Sequence, residues 1–452
     1  MRFDLVVRSG RIVTAHEDYI ADVAVSDGTI AAIGSNLRGA REVDATGSLV
    51  IPGAIDGHVH MRTARRRDSY DDDWDTGTIA AAFGGVTTIV DQAQVEPGLS
   101  LAEGVERRLA EAAARSLVDY GLHVNLREPN LERISEFEHL TRAGMPSFKL
   151  YMTYDTYRLP DEVIFAAMQE IARLGGLAIV HAENHAIIHE LERQNALAGR
   201  TGRHANAKAR PPEMEGEAVH RALAMARVAD ARTLIYHVTA SDAVREIAAA
   251  KERGQLAFGE ACLTHLMFTR DAMDDPVSGP AFDIGPPLRE EQHRRSLWEG
   301  LASGTLDIVS TDHGPRRLVR AQDGSVSAPP GTSGIEVRLP LTYSYGVRAG
   351  NLSLHRWVEL CCTRPAEVFG LTRKGRILPG YDADLVVFDP DRRVTLSVAN
   401  LHSNIDHSTY EGVQVEGYPV VTISRGEVLV AGGELLVEPG HGRFVERSYG
   451  ET

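Results

Sequence analysis

The segment at residues 54–62, AIDGHVHMR, is an apolar run that ends in two histidines separated by a single valine. Side chains alternate between the two faces of a strand, so His58 and His60 project on the same side with room for one ion between them. Seven further apolar runs follow, most of them separated by helical patterns such as LAEGVERRLAEAAARSL. We predict strands at residues 54–58, 86–91, 118–126, 147–152, 178–181, 234–238, 256–260 and 307–311. Eight alternating strand and helix units are typical of an α/β protein of the (β/α)₈ TIM-barrel type.

Both ends of the chain have a different texture from the middle. The first fifty residues alternate apolar and polar positions, as in DLVVRSGRIV, and the pattern returns near the end in PVVTISRGEVLVAGGELLV. Such alternation predicts short antiparallel strands. We therefore predict a small β-sandwich domain built from residues 1–50 and 375–435, a barrel at 51–374 and a polar tail at 436–452.

The composition fits a soluble enzyme in the cytoplasm, and we expect it to bind neither nucleic acid nor a membrane. A net charge of −15 argues against general nucleic-acid binding, which needs a surplus of Lys and Arg on one face, and no apolar run is long enough to span a bilayer. The start, MRFDLVV, lacks the basic and apolar regions of a secretory signal. The chain has three cysteines, Cys262, Cys361 and Cys362, and neighbours such as the last two rarely bridge, so we expect a reducing compartment.

Polar residues lie on or at the ends of five predicted strands. They are His58 and His60 on the first strand, Lys149 on the fourth, His181 on the fifth, His237 on the sixth and Asp312 on the eighth. Active sites of such barrels form at the carboxyl ends of the strands, so all six side chains are expected in one pocket. Lys149 lies in an apolar run, SFKLYM, where a buried ammonium needs an explanation such as a shifted or modified amine.

The order of these residues resembles the amidohydrolase superfamily, and in particular its cyclic amide hydrolases of the dihydropyrimidinase and hydantoinase type, with allantoinase and dihydroorotase as relatives. The resemblance covers nearly the whole chain and rests on segments in matching order, among them VIPGAIDGHVH, FGGVTTIVD, PSFKLYMTY, VHAEN, STDHGP and GRILPGYDADLVVFDP. It implies hydrolysis of the amide bond of hydantoins or dihydropyrimidines, or of related cyclic ureides and imides. It also implies a homotetramer or homodimer.

The resemblance further implies a pair of divalent metal ions, usually zinc, with manganese or cobalt as alternatives. His58, His60 and Asp312 would bind one ion, and His181 and His237 the other. Lys149, carboxylated on its amine, would bridge the two ions together with a hydroxide. Asp312 would act as general base and then general acid, while Tyr154, five residues after the lysine, would contact the substrate and stabilise the oxyanion.

The chain departs from the hydantoinase pattern at three positions. Gly285 stands where a serine is common and contacts the ring through its main chain, and Pro330 stands near a usual main-chain contact that would shift to Gly331 because proline has no N–H. Arg62 lies two residues after the second histidine, as an arginine does in dihydroorotases, where it binds the carboxylate of the substrate. We predict that Arg62 contacts a polar or anionic ring substituent.

Several alternatives stay open at this point. Arg62 favours a dihydroorotase or allantoinase, Tyr154 argues against both, and a non-catalytic assembly protein of the same fold is a third reading. Asp56 is expected either to orient a ligand histidine or simply to pack. A solvated loop that pairs with Asp68, Asp71, Asp72 and Asp73 is the expected setting for Arg65–Arg67 and an open alternative for Arg62. Surface or helical positions are expected for His185, His189, His204 and His265.

Overall fold

The computed structural model of the chain describes residues 2–62, 71–96, 98–275, 278–320, 326–327 and 331–450. The strands at the amino end are β1 Phe3–Val13, β2 Asp18–Ser26, β3 Thr29–Gly34, β4 Gly39–Asp44 and β5 Leu49–Pro52. The middle of the chain contains β6 Ala54–Val59, β7 Val86–Ala93, β8 Asp119–Asn125, β9 Ser147–Tyr151, β10 Leu177–His181, β11 Thr233–Ile235, β12 Ala257–Cys262 and β13 Ile308–Ser310. These are followed by β14 Val319–Arg320, β15 Val326–Ser327, β16 Leu385–Thr395, β17 Gln414–Ser424, β18 Glu427–Ala431 and β19 Glu434–Leu435.

Strands β6 to β13 form a parallel sheet in which each strand lies beside the next one along the chain. Val59 and His313 form a parallel bridge between its first and last members, so the sheet is nearly closed. The strands are almost entirely buried, as expected when helices cover the outside of a barrel. The predicted barrel is confirmed. Strands β11 and β13 end earlier than predicted, because His237 and Asp312 have φ values of 36° and 52°, which are incompatible with a continuing strand.

Helices connect most of the barrel strands. They are α1 Thr76–Phe83, α2 Leu101–Ala113, α3 Phe137–Arg142, α4 Asp161–Arg173, α5 His185–Leu197, α6 Arg203–Lys208, α7 Pro212–Ala229, α8 Ser241–Glu252, α9 Leu263–Met267, α10 Glu291–Ser303, α11 Arg338–Thr342, α12 Leu354–Val358 and α13 Arg364–Phe369. Helix α2 begins with a capping box, in which Ser100 and Glu103 each accept a hydrogen bond from the other's main chain. Within the described ranges, no helix has both the length and the apolar character needed to cross a bilayer.

The remaining long strands form one mostly antiparallel sheet from the two ends of the chain. Its order is β19-β18-β17-β16-β5-β1-β2-β3, with β4 beside β1. The central junction pairs β16 with β5, where Leu385 lies opposite Pro52 and Phe388 opposite Leu49. Apolar side chains from both ends share one core. The prediction of a small β domain built from both termini is therefore confirmed.

The described part of the predicted tail packs on the barrel of its own chain. Val445 donates its N–H to the carbonyl of Tyr120 at 2.8 Å, and Arg447 donates to that of Gly144 at 3.0 Å. The side chain of Arg447 is buried and donates to two further main-chain carbonyls. Tyr120 and Gly144 lie near the starts of β8 and β9, so this segment covers the amino ends of those strands and leaves the carboxyl ends to the pocket.

Candidate metal centre and active-site pocket

A cavity of about 400 Å³ lies at the carboxyl ends of the barrel strands. Its wall contains all six polar residues predicted to converge there: His58, His60, Lys149, His181, His237 and Asp312. Tyr154, Gly285 and Gly331, predicted to contact a substrate, line the same cavity. The volume is within the range of small-molecule binding sites.

His58, His60 and Asp312 lie close enough to share one ion. The Asp312 Oδ1 atom lies 3.1 Å from His58 Nε2 and 2.9 Å from His60 Nε2. Burial opposes the charged form of both partners, yet the imidazoles hold the pKa of Asp312 well below its usual value, and Asp312 and Glu260 raise the pKa of His58 to about 9. The carboxylate therefore stabilises a positive charge beside it, either a proton on the imidazole or a bound cation. Such an environment is typical of a metal site.

His181 and His237 form the second half of the site. Their ring centroids are 4.2 Å apart in an edge-on arrangement, and both side chains are buried. Burial lowers the pKa of both imidazoles, and the charge of Lys149 acts in the same direction. Both rings are thus neutral at physiological pH, which is the form that binds a metal.

Lys149 is a buried amine without a hydrogen-bond partner among the described residues. Its side chain is 2% exposed, and Nζ lies 3.8 Å from the centroid of the Tyr236 ring. Burial lowers the pKa of this amine from 10.5 to about 7. An ammonium in this position would be poorly compensated, whereas an anionic derivative of the amine would find neutral imidazoles and bound cations around it. The donor set and the unpartnered amine fit a divalent metal centre.

Two buried carboxylates orient the histidines, and sequence reasoning did not single out either of them. Glu260 accepts a hydrogen bond from His58 Nδ1 at 2.8 Å, from the His237 N–H at 3.2 Å and from the Cys262 thiol at 3.2 Å. Glu183 contacts His181 Nε2 at 2.7 Å. Glu260 is a lone charged residue at the apolar end of a predicted barrel strand. The same pattern singled out Lys149 and indicates Glu260 as a candidate site residue.

Asp56 does not contact the ring of a ligand histidine. Its carboxylate accepts hydrogen bonds from the main-chain N–H of His58 at 3.2 Å and from the hydroxyl of Thr311 at 2.7 Å. It therefore fixes the backbone at the ends of two adjacent strands, while Glu260 orients the His58 ring. His265 is helical as expected but buried, and its Nε2 lies 3.0 Å from the carbonyl of Pro286, which corrects the surface position considered from sequence.

Tyr154 and Gly285 approach each other closely on the pocket wall. The Tyr154 hydroxyl donates to the Gly285 carbonyl at 3.4 Å, and Tyr154 has a φ of 71°, a conformation that non-glycine residues rarely adopt. A Cβ atom at position 285 would lie 2.6 Å from that hydroxyl. A side chain at position 285 would therefore meet the phenol at its hydroxyl end, and the phenol would have to shift.

Arg62 is engaged in an ion pair beside the pocket. Its guanidinium lies 2.7 Å from Asp73, which also pairs with Arg115 at 2.7 Å, and its main-chain N–H donates to the main-chain carbonyl of Asp72. The cavity wall at this point includes Met61. A contact between Arg62 and a substrate stays a prediction, and Arg65–Arg67 and Pro330 lie outside the described residues.

Residues 49–429 match the sequence model of the Amidohydrolase family. The D-hydantoinase of Streptomyces coelicolor is 38% identical over 459 residues, which cover 98% of either protein. Among solved structures, D-hydantoinase from Bacillus sp. AR9 is similar with a TM-score of 0.95 at 37% identity, covering 99% of this chain and all of the other. Dihydropyrimidinase from Brevibacillus agri NCHU1002 is similar with a TM-score of 0.92 at 36% identity over 98% of each chain. The matched range contains every pocket residue described above.

Proposed function

This chain belongs to the amidohydrolase family, and we propose that it opens hydantoins and dihydropyrimidines by hydrolysing an amide bond of the ring. It is a cyclic amidohydrolase that works with divalent metal. The observation that carries this proposal is the convergence of four histidines, an aspartate and an unpartnered buried lysine in one cavity at the carboxyl ends of the barrel strands.

The metal centre we propose contains two divalent ions, zinc in the first instance and manganese or cobalt as alternatives. His58, His60 and Asp312 would hold one ion, His181 and His237 would hold the other, and Lys149, carboxylated on its amine, would serve as a ligand to both. Carboxylation requires a neutral amine, and the burial that lowers the pKa of Lys149 to about 7 supplies one at physiological pH. When bound, the ions polarise the ring carbonyl and supply a water whose pKa is lowered toward about 7.

The side chains of the pocket divide the remaining work. Asp312 is 30% exposed towards the cavity, and its pKa is held low, so it is ionised and able to accept the proton of the attacking water. It then returns that proton to the departing ring nitrogen. Tyr154 donates its hydroxyl hydrogen bond to the oxygen that becomes negative. Glu260 and Glu183 keep the His58 and His181 rings in fixed orientations.

The proposal is tested by supplying purified, metal-loaded protein with hydantoin, dihydrouracil, allantoin and dihydroorotate and following ring opening. We expect the first two to be hydrolysed with the highest kcat/KM. Preference for allantoin or dihydroorotate would transfer the proposal to those relatives. Hydrolysis of none of the four, together with no stoichiometric zinc, manganese or cobalt by mass spectrometry, would contradict it and favour a non-catalytic assembly protein.

A second test concerns Gly285. Gly285→Ala places a methyl group against the Tyr154 hydroxyl, and the phenol moves because it is the flexible partner. We expect kcat/KM for hydantoin to fall by about tenfold or more, in line with the loss of one oxyanion donor, with the thermal midpoint essentially unchanged. In a Tyr154→Phe background the same substitution should have little further effect, since the hydroxyl through which it acts is gone. Equal losses in both backgrounds would contradict a role through Tyr154.

The setting of the enzyme is also part of the proposal. We propose a cytoplasmic homotetramer or homodimer, and the three cysteines, which are buried and unpaired, suit a reducing compartment. Sedimentation analysis of the metal-loaded protein distinguishes the two assemblies.

A further inference from the structure

Two consecutive arginines follow Asp312 on the loop after strand β13, and they lie on opposite sides of that loop. Arg317 is directed outward: its side chain is 54% exposed, its guanidinium donates to Asn404 at 2.7 Å, and its main-chain N–H donates to Asp71 at 2.6 Å. Arg316 is half-buried and lines the active-site cavity. The proposed metal ligands and Arg316 thus line one pocket.

The backbone beside Arg316 holds its side chain against the pocket wall. Gly314 donates its N–H to the Thr332 carbonyl at 2.9 Å, so the loop after β13 runs alongside residues 331–332. A Cβ atom on Gly331 would lie 3.5 Å from Arg316 Cγ. The Arg316 side chain therefore passes beside Gly331. Arg316 itself lies four residues after Asp312, the proposed general base, where the ends of the last and first barrel strands meet.

Arg210, a second arginine on the pocket wall, pairs with protein carboxylates. Arg210 lies 2.9 Å from Glu183 and 3.5 Å from Glu192, and Glu183 is itself buried against His181. Arg210 is therefore committed to supporting a proposed metal ligand. Asp283, a carboxylate on the wall after strand β12, receives a hydrogen bond from Asn206 at 3.4 Å. Arg316 differs from Arg210 in its place, beyond Asp312 and away from the Glu183 cluster.

We propose that Arg316 binds an anionic group carried by the substrate, and that hydantoins whose ring substituent ends in a carboxylate are a preferred substrate class of this enzyme. The inference rests on the proposed function. A guanidinium pairs with a carboxylate through two parallel hydrogen bonds, and a half-buried pocket strengthens that attraction relative to water. The proposed metal ligands and Arg316 line the same cavity, so the proposal places the ring amide at the metal end and the carboxylate of the ring substituent at Arg316.

The test compares two hydantoins that differ in charge and hardly in size, 5-(2-carboxyethyl)hydantoin and 5-(2-carbamoylethyl)hydantoin. For each we measure kcat/KM, and the dissociation constant by calorimetry on the metal-loaded protein. The wild type is expected to favour the carboxylate by about tenfold or more, an advantage that decreases with added salt. Arg316→Gln is expected to remove most of this preference, and Arg316→Lys, which keeps the charge without the fork, to retain part of it.

Arg317→Gln is the matched control, because it removes the neighbouring guanidinium from outside the pocket and should leave the preference unchanged. A wild-type preference for the amide, or the same carboxylate preference in Arg316→Gln and wild type, overturns the inference. Metal content and thermal midpoint of each variant identify a loss that comes from misfolding, in which case Arg316→Lys decides. Hydrolysis of neither hydantoin contradicts the proposed function instead, and the ratio of dissociation constants then still decides the role of Arg316.

Discussion

Lys149→Ala is expected to lose metal and activity together. Lys149 is 2% exposed and its amine has no hydrogen-bond partner in the described parts of the chain, so the substitution breaks no hydrogen bond there, but the two proposed metal sites lose the anion that joins them. We expect less than one ion per chain by mass spectrometry and a fall in kcat of about 10⁴-fold or more, the scale of losing a whole catalytic metal unit.

The rescue of this variant is more specific than its inactivity. The substitution leaves a space lined by imidazoles, so acetate or propionate at high concentration should restore part of the metal content and of the activity. Lys208→Ala, an exposed lysine at the end of helix α6, is the control and should behave as wild type. Full activity of Lys149→Ala with two bound ions would exclude the bridging carbamate.

The pH dependence of metal loading tests the same amine in the wild type. Only the neutral amine reacts with carbon dioxide, and the lowered pKa of about 7 means that the neutral fraction increases with pH and is nearly complete above about pH 8. At a fixed concentration of dissolved carbon dioxide, reactivation of metal-free protein should therefore be about tenfold faster at pH 8 than at pH 6 and then level off. An ordinary lysine, with a pKa of 10.5, would still gain about tenfold per unit above pH 8.

Asp312→Asn is expected to retain most of the fold and to lose the proton transfer. An amide has nearly the shape of the carboxylate but cannot accept the proton that Asp312 takes from water, and general acid–base catalysis contributes about 10² to 10⁴-fold. We therefore expect kcat to fall by about 10³-fold for both hydantoin and dihydrouracil. The His58 pKa should also fall, because Asp312 is one of the two carboxylates that raise it to about 9, and this is measurable by NMR in the metal-free protein.

Asp283→Asn provides the comparison for that loss. Asp283 is a carboxylate on the same pocket wall, but its side-chain contact is with Asn206 rather than with a histidine of the centre. It should retain kcat to within about threefold. If Asp312→Asn stayed within tenfold of the wild type at full metal content, another group would have to carry the proton.

The sequence predicts the barrel and the convergence of the six polar residues because each of them interrupts an otherwise apolar strand end. A histidine or lysine in such a place is visible locally, and parallel strands bring their carboxyl ends together whatever the detailed packing. The partners that orient those side chains are not visible in this way. Glu260 meets His58 across 202 positions of sequence, and no local pattern indicates which carboxylate faces which ring.

The arginines also show that residue spacing does not determine which groups a side chain contacts. The position of Arg62 after the H-x-H pair predicts a substrate contact, yet its guanidinium forms an ion pair with Asp73. Arg316 lines the pocket, whereas the side chain of its neighbour Arg317 is directed outward. Such a choice depends on backbone geometry that residue spacing alone does not determine.

The pairing of strand β5 with strand β16 has a consequence for how the chain is made. The two strands are roughly 330 residues apart, so at about 5 to 20 residues per second the β5 edge waits some 20 seconds to about a minute on the ribosome before its partner exists. During that interval a fully buried apolar strand, Leu49–Pro52, lacks its β16 neighbour. We therefore expect the nascent chain to be most prone to strand mispairing in this interval, before the carboxyl-terminal strands emerge.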